Sequence, residues 1–333
     1  MRIDLILQPH YPVAEMTRLG KLAESYGLAA VWVPNNIQSL DPFVSFVPLA
    51  QQTTRVCLGP IAVSPFELHP LRMANLLLTL NEFAGGRAAI VVGGTLEDMG
   101  MKPKRMVRAV RECVEILKQA ASRKPGGYKG EIFPIHWLDA SWATAPAPRI
   151  YVGANGPQML AMAARVADGI MLSDITPDRV RRCRAIIDPI LVERGLDPAT
   201  FPLSNFWAWH VKPGREEAER EARIYLTVRG TIWEPYIYDV VDPEEAKLVL
   251  AHSRSFIAAY QQRSPEVAGV PESILRKIVA AGVSASPLAE IDREIERFQE
   301  FARAGLNQLA LCLYDDPEAS IRVIGERILP ALT

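Results

Sequence analysis

The sequence has little of what marks a secreted, metal-binding or nucleic-acid-binding protein. Its four cysteines, at positions 57, 113, 183 and 312, include no pair spaced as CxxC. A disulfide framework or zinc knuckle is therefore not expected, and this cysteine usage is typical of the reducing cytosol. The 37 basic and 38 acidic side chains nearly cancel, whereas nucleic-acid binding usually needs a basic surplus. We expect a cytoplasmic protein that binds neither nucleic acid nor membrane.

Long hydrophobic runs, internal repeats and low-complexity tracts are also absent from the sequence. The first apolar run, residues 3–7, contains Asp4 and is too short for a signal-peptide core or a membrane span. It predicts a buried first strand. Hydrophobic residues make up 49% of the 333 positions, which is enough for a large core. Because α/β barrels reach this length as one unit, we expect residues 1–333 to form a single domain.

Short runs rich in valine, isoleucine and leucine alternate with segments of helical period, a pattern that indicates parallel βα units. The runs are 3–7, 29–33, 56–63, 88–92, 149–152, 169–172, 203–211 and 308–313. An open doubly wound sheet has the same local pattern, but a count of eight favours a (β/α)8 TIM barrel. No run ends in lysine, which argues against a Schiff-base aldolase or similar barrel.

Two stretches interrupt this alternation. Residues 124–144 are rich in glycine and aromatic residues and predict a loop or small hairpin. Residues 213–285, after the seventh strand, are far longer than a βα connection needs and contain helical patterns at 215–225 and 244–260. Long insertions in barrels usually lie at the catalytic face as lids, or form oligomer contacts. Trp233, Tyr236 and Tyr238 favour an apolar partner beneath this insertion.

In a parallel barrel the residues after each strand build the active site. After the fifth strand, Gly153-Ala154-Asn155-Gly156-Pro157 leads into a helix. Such a turn presents backbone N–H groups at a helix N-terminus, where phosphate is favoured; an ordinary tight turn has the same composition. Gly93-Gly94-Thr95 offers a second close backbone approach beside a flat ring.

Three other side chains near strand ends have alternative interpretations. Trp207 and Trp209 lie on one side of the seventh strand, where they either stack on a substrate or pack the core. His69 precedes Pro70 at the start of a helix, and its expected role is a structural hydrogen bond.

Three segments resemble the luciferase-like monooxygenases, in particular the coenzyme F420-dependent branch typified by methylenetetrahydromethanopterin reductase. They are Leu58–Phe66 with His69-Pro70, Thr79–Ala88, and Pro148–Pro157 with Ala167-Asp168-Gly169 downstream. The resemblance covers residues 1 to about 195 and returns at about 286–331. It implies a barrel oxidoreductase, commonly a homodimer.

The resemblance also implies where a cofactor binds. The ring of F420, or alternatively of FMN, would rest against a bulge in the third strand at Ile61, Ala62 and Val63. In this family the bulge often contains a non-prolyl cis peptide, which corresponds here to the Ile61–Ala62 bond. The phosphate would lie on the amides of Gly153 to Gly156, followed by Pro157, and Gly93 to Thr95 would border the cofactor.

The chain departs from the family at its acid–base residues. Relatives typically end strand two with Asp-His, whereas this chain has Asn35-Asn36, and Ile6 and Leu96 stand where F420-dependent relatives often carry acids. Asparagine can hydrogen-bond a ring carbonyl but exchanges no proton near neutral pH. Either hydride transfer needs little acid–base help, or His10 or Glu97 supplies the proton.

Three functions remain in order of preference. The first is an oxidoreductase that passes a hydride from reduced F420 to an organic small molecule. The second is a monooxygenase in which reduced FMN activates O₂. The third is a cofactor-binding barrel without turnover, which the missing acids would explain. The candidate catalytic residues are His10, Asn36 and Glu97, and Asn35 is a candidate cofactor ligand.

Overall fold

Eight apolar runs form a parallel sheet that closes into a barrel. The computed structural model describes residues 1–36, 38–94 and 103–332. Its strands are β1 (Arg2–Ile6), β2 (Ala30–Pro34), β3 (Cys57–Ile61), β4 (Ala89–Val92), β5 (Gly126–Tyr128), β6 (Ile135–Leu138), β7 (Arg149–Gly153), β8 (Gly169–Ser173), β9 (Leu203–Ala208) and β10 (Gln308–Cys312). The barrel order is β3-β2-β1-β10-β9-β8-β7-β4. Bridges between Leu58 and Ala88 and between Val63 and Val92 close the ring. The predicted barrel is confirmed.

Helices follow the barrel strands, and those outside the 213–285 insertion cover the outer faces of the strands. They are α1 (Val13–Tyr26), α2 (Pro42–Ser45), α3 (Val47–Gln52), α4 (Pro70–Phe83), α5 (Met106–Ala121), α6 (Pro157–Val166), α7 (Pro177–Glu193), α8 (Arg215–Ile224), α9 (Pro243–Ala251), α10 (Ser253–Gln261), α11 (Glu272–Gly282), α12 (Ile291–Arg303), α13 (Pro317–Val323) and α14 (Leu329–Leu332). Within the described parts of the chain, no helix is long and apolar enough to span a membrane.

Strand alternation divides the buried residues into an outer and an inner core. Outward residues pack against the helices, while inward residues such as Trp32 and Tyr151 fill the barrel. The Trp32 and Tyr151 rings meet edge to face at 5.6 Å, and the Trp32 indole donates to buried Asp4 at 3.1 Å. Gly59 makes room for this packing, because a Cβ there would lie 2.3 Å from the Trp32 ring.

The two irregular stretches have the predicted positions. Strands β5 and β6 form an antiparallel hairpin, and α8–α11 lie between β9 and β10. Parallel bridges from Trp209 to Ser284 and from Lys212 to Pro287 bring together the two ends of this insertion. The helical pattern at 244–260 corresponds to two helices, α9 and α10, which separate at His252. There the His252 ring bonds the Leu248 carbonyl at 2.9 Å, and the backbone amide of His252 bonds instead to Val249.

The residues with two interpretations are structural. Trp207 and Trp209 are fully buried in the outer core, with Trp207 edge-on to Phe301 at 5.1 Å. They therefore pack the barrel against α12 rather than facing its interior. His69 caps α4 by accepting from the Leu71 amide at 3.3 Å.

Candidate functional site

A cavity of about 790 Å³ opens at the C-terminal ends of the barrel strands. Its lining comes from all eight barrel strands or the residues after them, and from the 213–285 insertion. Small-molecule and cofactor sites are typically clefts of roughly 300–1,000 Å³ in which a few polar groups converge on apolar walls. The cavity is therefore large enough for a cofactor ring and part of a second molecule.

The end of β3 is kinked by a bulge. Ile61 and Ala62 both line the cavity, although consecutive residues in a regular strand face opposite sides. Pairing with β4 resumes beyond the bulge, because the Val63 amide donates to Val91 at 2.9 Å and the Gly93 amide donates to Val63 at 3.0 Å. The side chain of Val63 consequently packs in the outer core rather than in the cavity wall.

The cis peptide expected at Ile61–Ala62 is wrong. That bond is trans, and the cis bond among the described residues is Glu234–Pro235. A cis bond before a residue other than proline costs about 3 kcal/mol. The bulge turns both side chains toward the cavity with trans peptides, so the kink does not require that cost.

The glycines after β4 allow the backbone to turn at the cavity edge. Gly94 lines the cavity with φ at 93°, a conformation that favours glycine. Gly93 lies behind it, where a Cβ would be 3.4 Å from the Gly153 carbonyl oxygen. Thr95 and Glu97 lie outside the described residues.

The loop after β7 is held by one side chain that bonds the next strand. Asn155 donates to the Ser173 carbonyl at 2.8 Å and accepts from the Ser173 amide at 2.9 Å. The Ala154 amide is also used, because it donates to Met171 at 3.1 Å. Of the predicted cofactor residues here, Gly153, Ala154 and Asn155 line the cavity. This clamp fixes the loop where it enters α6.

Gly156 and Pro157 lie at the start of α6, just beyond the lining residues. The amides of Asn155, Gly156, Gln158 and Met159 have no protein acceptor within the described ranges. A Cβ built on Gly156 would meet nothing within 4 Å. Free amides at a helix N-terminus favour an anion, so this end of the site fits a phosphate.

A carboxylate stands behind the asparagine pair at the end of β2. Asn35 and Asn36 line the cavity. The Asn35 amide donates to both carboxylate oxygens of Glu67 at 2.9 Å. Burial raises the pKa of Glu67, although the hydrogen bond from Asn35 opposes that rise. The Glu67 carboxyl, a group that can exchange protons, therefore lies one hydrogen bond behind the cavity wall.

His10 lies in the rim of the cavity after β1, where its side chain is exposed. Its ring contacts that of Tyr11 with centroids 4.7 Å apart. The neighbouring Gln8 is fixed from inside, since it donates to the Leu313 carbonyl at 2.9 Å and to the Cys312 sulfur at 3.2 Å. His10 therefore lies between solvent and the cavity.

A buried ion pair joins β8 to the insertion. Arg229 bonds Asp174 at 3.1 Å, and Asp174 also accepts from the Gly230 amide at 2.9 Å and from the Ser173 hydroxyl at 3.1 Å. Burial disfavours the charge on Arg229, but Asp174 outweighs it, so the pKa of Arg229 lies above its ordinary value. The Nε of Arg229 has no partner within the described residues. Both side chains line the cavity.

Aromatic rings continue this wall. Tyr314 stacks on His210 with ring centroids 4.7 Å apart and packs on Tyr225 at 4.1 Å. Arg229 lies 4.9 Å from the centre of the Phe206 ring. Burial raises the pKa of Tyr314 far above its ordinary value, so it remains a neutral hydroxyl. An arginine among rings favours an organic ligand with a polar acceptor.

The insertion is anchored beneath these rings by three buried polar side chains. Glu221 of α8 bonds His210 at 2.7 Å and Lys212 at 2.8 Å. Burial lowers the pKa of His210 more than the bond from Glu221 raises it. Burial opposes ionisation of Glu221, but its two partners outweigh that effect and lower its pKa. The ionised carboxylate is thus held by a neutral histidine and a lysine.

Sequence reasoning placed the insertion near the site but missed Arg229, the arginine that the insertion contributes to the cavity. Arg229 is 55 residues from Asp174, and no spacing motif links the two. Of the aromatic residues noted at 233–238, Tyr236 lines the cavity, whereas Trp233 and Tyr238 are exposed. The sequence offered one weak indication that Arg229 is buried, which is its position between the apolar residues Val228 and Gly230.

The fold and site are those of a (β/α)8 barrel with a ligand cavity at the C-terminal face. A family model described as luciferase-like monooxygenase matches residues 2–308. The chain belongs to this family, which confirms the resemblance found in the sequence.

Several relatives are F420-dependent or reductases by name. A 5,10-methylenetetrahydromethanopterin reductase from Archaeoglobus fulgidus is 28% identical, with both chains covered completely. The structure of the coenzyme F420-dependent tetrahydromethanopterin reductase from Methanopyrus kandleri is similar with a TM-score of 0.81 at 20% identity, covering 100% of this chain and 99% of that one. An F420-dependent secondary alcohol dehydrogenase, solved with an F420–acetone adduct, has a TM-score of 0.76 at 20% identity, with 100% and 99% covered.

The anchor of the insertion generates a stability prediction. Glu221→Gln leaves Lys212 and His210 without their carboxylate, and we expect a loss of about 3 kcal/mol in the free energy of unfolding, as for other broken buried pairs. Because the pKa of Glu221 is lowered by folding, this loss should shrink as the pH falls. Urea unfolding at several pH values measures it.

Glu217→Gln is the matched control, since Glu217 is exposed on the same helix. It should change stability by less than about 0.5 kcal/mol. Limited proteolysis should cut the 213–285 segment faster in Glu221→Gln alone. Equal stability of the two variants would contradict the anchoring role.

Proposed function

We propose that this protein is an oxidoreductase that binds coenzyme F420 and transfers a hydride between it and an organic small molecule. The observation that carries the proposal is one cavity with a kinked β3 at its wall and free helix N-terminal amides beside it. The names of the relatives with F420 dependence support the choice of cofactor. Reduced F420, when bound, supplies the hydride.

The two ends of the cofactor have separate supports. Ile61, Ala62 and Gly94 offer a mostly apolar surface with little side-chain bulk, which suits one face of a planar ring. The amides of Asn155, Gly156, Gln158 and Met159 would hold the phosphate. The Asn155 side chain keeps that loop in place through Ser173. Gly153 and Ala154 line the wall between these ends. The residues present therefore fit a ring with an anionic chain.

Reduction of a double bond adds one proton besides the hydride, so the site must supply that proton. We assign proton exchange to His10 at the rim, with Asn36 hydrogen-bonding the reacting region. Glu97 remains a candidate for the same proton from the sequence alone. Glu67 orients Asn35 and substitutes in part for the carboxylate that relatives carry at that position.

The substrate is proposed to bind between the cofactor site and the insertion. Arg229, Tyr314, Tyr225, Phe206 and Tyr236 line that part of the cavity. Aromatic walls with a cation already neutralised by Asp174 favour an uncharged organic molecule that carries a hydrogen-bond acceptor. We further propose that the protein is a homodimer, as the family resemblance suggests. We also propose that it lies in the cytosol, as the four free cysteines suggest.

The first experiment tests cofactor and reaction together. The protein is titrated anaerobically with reduced F420 and, separately, with reduced FMN, and then mixed with carbonyl, imine and alkene acceptors. We expect binding of F420 in the micromolar range or tighter and oxidation of its reduced form on addition of an acceptor. Oxygen consumption with reduced FMN, combined with no F420 binding, would contradict the proposal in favour of a monooxygenase.

A second prediction tests the phosphate position. Gly156→Glu introduces a carboxylate into open space beside the free amides, and we expect F420 affinity to fall at least tenfold through charge repulsion. Gly156→Gln has nearly the same shape without the charge and should fall by less than threefold. Fluorescence titration measures both. Similar losses in the two variants would indicate a steric effect and would remove the argument for an anion here.

A third prediction tests the proton. His10→Gln should lower the turnover rate by a factor on the order of 100, within the usual range for a lost general acid or base. F420 affinity should stay within twofold, because the imidazole is not assigned to cofactor binding. His136→Gln, an exposed histidine on the β5–β6 hairpin, is the control. An unchanged turnover rate and pH profile in His10→Gln would exclude His10 from proton exchange.

A further inference from the structure

A second groove lies on the outer surface of the barrel, between α5 and α6. Its volume is about 870 Å³. The groove includes Gln158, in the first turn of α6, which is also one of the residues with a free amide at the proposed phosphate position. It reaches Arg165 further along the same helix, about 10 Å away at the helical rise per residue. The groove therefore begins where the phosphate is proposed to lie.

The groove is cationic. Arg105, Arg108 and Arg111 line it from α5 and the residue before α5, and Arg165 lines it from α6. Glu131 pairs with both Arg105 and Arg108. Two carboxylates, Glu115 and Glu131, thus stand against four guanidinium groups, which leaves two positive charges without a counterion among these residues.

The guanidinium groups with the weakest carboxylate pairing are those of Arg111 and Arg165. Arg111 reaches Glu115 only at 4.0 Å, and Glu115 is already bonded by the Tyr128 hydroxyl. Arg165 bonds a carbonyl of its own helix, that of Ala161, at 3.2 Å. Both guanidinium groups flank a floor built from apolar side chains such as Met162. A flexible chain with regularly spaced carboxylates would fit this combination.

We propose that the α5–α6 groove binds the oligoglutamyl tail of coenzyme F420. The tail continues from the cofactor phosphate as a chain of γ-linked carboxylates, so its attachment point coincides with the start of the groove. This inference rests on the proposed function for the identity of the cofactor. It assigns Arg111 and Arg165 as tail-binding residues outside the reaction cavity.

The test compares three forms of the cofactor on the full-length protein by fluorescence titration. They are the deazaflavin without phosphate, F420 with the phosphate but no glutamate, and F420 with several glutamates. Exposed ion pairs are individually weak. We therefore expect the tail to tighten binding by roughly three- to tenfold at low salt, and the gain to vanish in about 0.5 M salt through screening.

The variant pair isolates the groove. In Arg111→Gln/Arg165→Gln the affinity for tailed F420 should fall to that of the untailed form, whose own affinity should change by less than twofold. Arg327→Gln is the matched control, because it removes an exposed charge near α14 on the far side of the barrel. It should preserve the advantage of the tailed form.

The outcomes separate the two proposals. If none of the three forms binds, the proposed function fails. If the tailed and untailed forms bind wild-type protein equally, or if the double variant keeps the advantage, the groove does not hold the tail while F420 dependence stands.

Discussion

The structure depends on one constraint, the need of a parallel sheet to satisfy its backbone hydrogen bonds without open edges. The sheet meets it by closing β3 onto β4 through two isolated bridges. Closure directs every strand's C-terminal end to the same opening, so residues far apart in sequence meet there. Gln8 and Cys312 are in contact for this reason. The same closure leaves β3 free to bulge at Ala62, since pairing resumes at Val63.

The free amides at the start of α6 and the buried ion pair of Arg229 with Asp174 lie in different parts of the site. Free backbone amides at the start of α6 can receive an anion. The buried arginine, Arg229, instead belongs to the insertion and is neutralised by Asp174. Because a charge so far from water is costly unless paired, Arg229 and Asp174 hold the insertion against β8. The insertion is thus part of the cavity wall through electrostatics as well as packing.

Sequence periodicity was sufficient to predict the barrel, but it did not predict the position of Val63, the contact of Arg229 or the separation of α9 from α10. The apolar runs predicted every barrel strand, and most strand ends to within about two residues. This worked because parallel strands that are buried on both faces have nearly continuous apolar sequences. Val63 was assigned to the cofactor together with Ile61 and Ala62 from the family resemblance, but beyond the bulge its side chain packs in the outer core. Arg229 depends on a contact across 55 residues. At His252, where α9 and α10 separate, the side chain bonds a backbone carbonyl, a local contact that helix propensity does not describe.

The asparagine pair at the end of β2 has a physical explanation in Glu67. An asparagine amide can donate where a carboxylate only accepts, and Asn35 uses that capacity on Glu67. The carboxylate has thereby moved from the cavity wall to the layer behind it, where burial raises its pKa. An uncharged wall at this position suits hydride transfer, because a negative charge beside the cofactor ring would change the electron density of that ring. The replacement of Asp-His by Asn-Asn is therefore compatible with turnover, provided that the proton enters from elsewhere in the cavity.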